Sequence, residues 1–144
     1  MTVPLDVVIP SRLEEIPKIS AELELCMQSM GFSDDQILDL QLAVEEAITN
    51  VIKHGYDGTS GTIAVRCTAL DDEIAIEISD SAPAFDPLSV PEPDTSADID
   101  QRGIGGLGIF LIRRVTDSAT YRYEQEKNIL TLTKKKGTPG RVTG

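Results

Sequence analysis

The chain has 144 residues, with 13 Lys and Arg against 24 Asp and Glu, a formal charge of −11 and 40% hydrophobic residues. This length fits one domain, the apolar share supports a real core rather than wholesale disorder, and the charge argues against direct nucleic-acid binding. No run reaches the roughly 18 apolar residues needed to span a bilayer, and MTVPLDVVIPSRLEEI lacks the basic start and long apolar stretch of a secretory leader, so a cytoplasmic protein with no membrane contact is expected.

Weak alternation over Val3 to Ile9, closed by Pro10, predicts a first strand. Ser11 and Glu14 form a capping-box pattern before Leu13, Ile16, Ile19, Leu23, Met27 and Met30, which predicts a helix ending at Gly31. Pro17 lies inside this pattern and either kinks the helix or delays its start. Ser33 and Gln36 repeat the capping box ahead of a second helix whose apolar stripe is Ile37, Leu40, Val44, Ile48 and Val51, ending near Gly55. Leu38, Leu42, Ala43 and Ile52 lie outside that stripe, so this helix is expected to sit deep in the domain.

Alternation at Ile63, Val65 and Cys67, and again at Ile74, Ile76 and Ile78, predicts a hairpin turning at Asp71-Asp72. The Pro-, Asp- and Ser-rich segment from Asp80 to Arg102 cannot be a regular element, and a loop this long is usually functional or disordered. The run Gly103-Ile104-Gly105-Gly106-Leu107-Gly108 opens a third helix, and two alternating strands follow, Ala119 to Tyr123 and Ile129 to Thr133. The order predicts an α+β fold, a two-layer sandwich of helices on one face of a mostly antiparallel mixed sheet. Cys26 and Cys67 lack metal or redox spacing and read as buried thiols of a reducing compartment.

Three places carry candidate chemistry. Glu46 and Asn50 share a helix face one turn apart, with His54 one turn further on. A carboxylate and an amide oxygen suit Mg²⁺ held chiefly by phosphate oxygens, and the same spacing also fits a solvated polar face. Asp80, where a strand becomes a loop, can accept an exocyclic amine in a pocket or cap its own turn. The glycine run can admit a phosphate to backbone N–H groups at a helix N-terminus, or simply start a helix.

Together the three segments resemble a known family. EEAITNVIKHGY is similar to the N box of the GHKL ATPases of gyrase, histidine-kinase and MutL type, DSAPAFDP to their first glycine box, and RGIGGLGIFLIRRVTD to their second. Within that superfamily the chain most resembles the small anti-sigma-factor serine/threonine kinases, over roughly residues 5–135. The resemblance implies a single ATP-binding domain over 1–144 with the Bergerat fold, an ATP lid at 88–102 and a flexible tail at 136–144.

It further implies ATP and Mg²⁺ as cofactors, Glu46 as general base, Asn50 as Mg²⁺ ligand and Asp80 as acceptor for the adenine amine. Gly105, Gly106 and Gly108 match the phosphate-side glycines, Gly103 a hinge, and Thr131 a threonine near the adenine. The implied activity is phosphorylation of a serine or threonine on a STAS-type anti-anti-sigma partner, with a sigma factor as a possible second partner and a homodimer as the usual assembly. The alternative is a catalytically weak or inactive nucleotide-binding module that acts by sequestering its partner. One departure favours that alternative: Ala82 stands where the family places glycine, which would strain the backbone if a positive φ were required. His54 is left between a phosphate contact and a cap of the helix end.

Overall fold

The computed structural model describes residues 2–89 and 106–137. Five strands form one sheet: β1 (Thr2–Pro10), β2 (Thr62–Leu70), β3 (Glu73–Asp80), β4 (Ser118–Glu124) and β5 (Lys127–Lys135), in the order β1-β2-β3-β5-β4. All four described pairings are antiparallel, so the parallel pair that a mixed sheet would contain is not among them. Three helices, α1 (Ile16–Met30), α2 (Asp34–Asn50) and α3 (Gly106–Val115), complete the second layer, with α2 packed against both others.

The layering follows from period-two burial. Ile74, Ile76, Ile78 and Asp80 of β3 point to the helices, as do Ile63, Val65 and Cys67 of β2 and Leu130 and Leu132 of β5. They meet Ile19, Leu23 and Met27 of α1 and Ile37, Leu40, Val44 and Ile48 of α2. Cys26 and Cys67 are free and buried in this core. Burial, with the nearby Cys26 sulfur adding, pushes the Cys67 thiol up to about 12, so it stays a thiol at neutral pH.

The second capping box forms as read, with Ser33 and Gln36 bonding reciprocally. The first does not. A short 3-10 turn (Leu13–Glu15) precedes α1, and Pro17 sits in the helix's first turn, where its missing N–H costs nothing. Ser11 instead exchanges hydrogen bonds of 3.0 Å with the backbone of Gly61, tying β1's end to the start of β2. α1 ends as expected on Gly31, whose φ of 90° closes the last turn.

One further expectation is corrected in part. Of the four apolar residues outside the stripe, Ala43 is fully buried and Ile52 packs partly against the core, whereas Leu38 and Leu42 are 54% and 38% exposed and face outward. At the start of the expected tail, Lys136 donates from its N–H to Asp72 O at 2.6 Å and from its Nζ to Met30 O at 2.9 Å, and 138–144 lie outside the described residues.

Lys134 is a buried cation that sequence reading missed. Only 1% exposed, it donates to Val115 O, a last carbonyl of α3, at 2.6 Å and lies 3.9 Å from Asp39 of α2. It therefore fastens the C-terminus of α3 to the sheet, where a positive charge also complements the helix dipole. Lys134→Met keeps the stem and strands that carbonyl, so chemical denaturation should show a loss of about 1–3 kcal/mol.

The β4–β5 turn is strained in the opposite sense. Gln125 and Glu126 adopt φ of 53° and 63° between the paired Glu124 and Lys127, a left-handed turn that favours Asn-Gly. Glu126→Gly should raise stability by about 1 kcal/mol, read as a higher denaturation midpoint.

Candidate active site

β3 delivers Asp80 to the core face at the strand's end, only 6% exposed. Its Oδ1 accepts from the Ala82 N–H at 2.9 Å and from Asn128 Nδ2 at 2.9 Å. Its Oδ2 accepts nothing among the described residues, and it is not sealed from its surroundings either. One oxygen therefore caps the turn, and the other is left as an acceptor.

Asp80 borders a cavity of about 50 Å³ between the layers. Ala47, Asn50, Val51 and Gly55 line it from the helix side, Ile78, Asp80 and Leu130 from the sheet, with Phe85 and Tyr121 as aromatic walls. A cavity of roughly 150 Å³ is needed to hold benzene. A purine exceeds that volume and would reach past Pro83 and Phe85, two of the residues that line it. An open groove of about 450 Å³ lies beyond those two residues, and Phe85 is already 51% exposed.

The helix side is shaped by a change of winding. α2 ends at Asn50 and the chain continues as a π-helical turn, Val51–Tyr56. Such widened turns occur often at functional sites. The turn breaks the four-residue stripe. Asn50 lines the cavity, whereas His54 is exposed and lines the outer groove beside Asp57. Glu46 lies half-buried one turn before Asn50 and makes no hydrogen bond among the described residues. Glu45 is structural, accepting from Ser20 Oγ of α1.

Tyr56 locks the π turn to the sheet, its hydroxyl donating to Thr62 O at 2.6 Å and accepting from the Ser81 N–H at 3.0 Å. A β-carbon on Gly61 would fall 2.2 Å from the Tyr56 ring, which explains a glycine there. The Ala82 departure is accommodated. Ala82 is not among the residues with positive φ, and it is buried, with its β-carbon directed at Gly55, where an added β-carbon would come within 3.2 Å of it. Glycine at 55 makes the room that alanine at 82 fills.

The structure moves one assigned residue out of the site. Thr131 pairs with Glu77 and Thr120, on the sheet face away from Asp80, and does not line the cavity. Strand alternation makes this unavoidable, because the residue opposite Asp80 in register is Asn128. Asn128 is a cavity-lining residue that the sequence reading does not name.

Gly106 and Gly108 lie in the first turn of α3, so the helix begins inside the glycine run. Gly103, Gly105 and lid positions 90–102 lie outside the described residues. The base of that segment is a 3-10 turn, Pro87–Ser89, and Arg113 of α3 donates to Leu88 O. Among the described residues no cluster of three His, Cys, Asp or Glu could hold a metal alone. An ion here would need ligand oxygens from a phosphate, as expected of Mg²⁺ with one amide ligand.

This arrangement, an antiparallel sheet under three helices with an acceptor carboxylate at the floor of an interlayer cavity, defines a nucleotide-binding ATPase-type domain. The pattern of the histidine kinase-like ATPase domain matches residues 9–134, and the chain belongs to that family. Among its relatives are proteins named serine-protein kinase RsbW. That of Listeria monocytogenes serovar 1/2a is 31% identical over 127 residues, covering 85% of this chain and 81% of the relative. That of Bacillus pumilus is 34% identical over 120 residues, covering 78% and 74%, and that of Staphylococcus aureus 33% over 132 residues, covering 88% and 82%. A solved structure of the RsbU and RsbW domains of Rv1364c from Mycobacterium tuberculosis superposes with a TM-score of 0.66 at 20% identity, over 94% of this chain. The present chain spans only 33% of that longer one, and the likeness is one of fold.

Among the described residues, no helix is long and apolar enough to cross a membrane.

Proposed function

We infer that this chain is an ATP-dependent protein serine/threonine kinase that binds and phosphorylates a regulatory partner, in the manner of an anti-sigma factor. The observation that carries this reading is the split carboxylate of Asp80, half consumed by its own loop and half free at a cavity that Asn50 also lines. An adenine amine supplies the donor that Oδ2 lacks. Asn50 offers an amide oxygen at the helix side of the same cavity, and its residue type fits a hard cation. Mg²⁺, when bound with ATP, would screen the phosphate charges. Glu46, one turn back and without a hydrogen-bond partner among the described residues, is the residue available to take the proton from the attacking hydroxyl. Gly105, Gly106 and Gly108 would admit the phosphates to α3, and Gly103 and the lid at 88–102 would close over them.

The partner on this reading is a STAS-type anti-anti-sigma protein, with a sigma factor as a second ligand, in the cytoplasm. A homodimer belongs to the same reading. Leu25, Leu38 and Leu42, 67%, 54% and 38% exposed, are apolar surface on α1 and α2 that an assembly would cover. The sequestering module without catalysis is disfavoured, because its motivation was strain at Ala82, and Ala82 carries no positive φ. The test is incubation with γ-labelled ATP and the STAS-domain proteins of the source organism. Label on a serine or threonine of one of them is expected, and complex formation without any label would return the sequestering module.

A further inference from the structure

Asn128 has a role that nothing in the implied mechanism assigns. It is 7% exposed, and its side-chain amide is fully committed. Nδ2 donates to Asp80 Oδ1 at 2.9 Å, Ala82 O at 3.0 Å and Pro83 O at 3.2 Å. Oδ1 accepts from the Phe85 N–H at 3.0 Å and the Tyr121 hydroxyl at 2.6 Å. Two donor hydrogens and two lone pairs are thus all used, which also fixes which end of the amide is oxygen. A side chain so saturated has nothing left to offer a ligand. Its effect must pass through what it holds: the carboxylate on one side, and the backbone of residues 82, 83 and 85 on the other.

We propose that Asn128 is the positioning residue for base selection: by occupying Asp80 Oδ1 and clamping the loop that bears Phe85, it leaves Oδ2 as the sole acceptor presented to the base. This rests on the nucleotide-binding reading above. A single fixed acceptor favours a purine with an exocyclic amine at that edge and repels one with a carbonyl oxygen there, since two acceptors facing each other leave both unpaired. Were Asn128 absent, the carboxylate could rotate and the loop at 82–85 would lose three of its tethers, so discrimination should fall more than folding does.

The replacement Asn128→Asp is the sharper probe because it keeps shape and both acceptor bonds. It places an acceptor where Nδ2 stood, against Asp80 Oδ1, Ala82 O and Pro83 O. Two carboxylates in one site share a proton more readily as pH falls, and a protonated carboxyl donates as the amide did. The other titratable groups facing this point are Tyr121 on β4 and Asp86 in the loop. Burial pushes the Tyr121 phenol up, with Asp86 and Asp80 adding, so it stays a donor throughout the range.

The experiment is calorimetric titration of ATP, GTP and purine riboside triphosphate, which lacks the amine, into wild type, Asn128→Ala and Asn128→Asp, each checked for a cooperative thermal transition. Wild type should prefer ATP over the other two by at least about tenfold. Asn128→Ala should shrink that preference to about threefold or less. Asn128→Asp should bind ATP weakly at neutral pH and regain affinity as pH drops toward 5, beyond any change in wild type. An unchanged preference in Asn128→Ala, or a pH profile of Asn128→Asp parallel to wild type, overturns the positioning role while leaving nucleotide binding intact. Failure of wild type to bind ATP at all overturns both readings.

Discussion

Glu46→Gln lowers the rate of phosphoryl transfer by about 10²–10⁴-fold and leaves ATP affinity nearly unchanged. The reasoning is positional. Glu46 lies on α2 one turn from Asn50 but does not line the cavity, so it should meet the hydroxyl of the incoming partner, not the nucleotide. Glutamine preserves volume and helix propensity and removes only the basic oxygen. Single-turnover kinetics with saturating ATP isolate the chemical step. A rate unchanged in Glu46→Gln would remove Glu46 as the base, and an equal loss in Glu45→Gln would contradict the separation between them, since Glu45 is engaged by Ser20.

Asp80→Asn should weaken ATP by about 10–100-fold, through loss of a charged acceptor for the base amine. The fold should survive, because the substituted amide oxygen can still accept from the Ala82 N–H and Asn128 Nδ2, which orients the new NH₂ toward the cavity. That NH₂ faces the adenine amine donor to donor. The same variant should therefore gain relative affinity for inosine triphosphate, whose carbonyl oxygen accepts. Parallel titrations with both nucleotides read this inversion. A uniform loss for both would mean that Asp80 supports the loop without reading the base.

Much of the fold was legible because it rests on short-range signals. The Ser33–Gln36 capping box, the Gly31 stop and the alternation of β2, β3 and β5 each have a local cause, and each element appears within a few residues of its expected place. The Ser11–Glu14 box failed because Ser11 had a better partner in Gly61, fifty residues away, which no local pattern reveals. Leu38 and Leu42 failed similarly: apolarity marks a face but does not say what covers it. In the site, Asp80 and Asn50 could be read from the ends of a strand and a helix, and the structure brings both to one cavity. His54 could not be placed, because the α-to-π transition after Asn50 has no signature at this spacing. Thr131 lies on the other sheet face because strand register, which residue type does not reveal, puts Asn128 beside Asp80.

Ala82 carries the same lesson in reverse. As a lone substitution in a glycine box it looked damaging. In the fold its β-carbon is matched by Gly55 across the layers, a compensation invisible until the two are in contact. Lys134 belongs with these long-range features, a cation in a strand whose partners lie on two different helices.

The central claim, a nucleotide site built from Asp80 and Asn50, is tested most directly by calorimetric titration of ATP, with and without Mg²⁺, into wild type and Asn50→Ala. The account predicts that wild type binds ATP, that Mg²⁺ tightens the complex, and that Asn50→Ala loses that gain while still binding the metal-free nucleotide. No heat of binding from wild type at millimolar ATP, or a Mg²⁺ effect undiminished in Asn50→Ala, would contradict it.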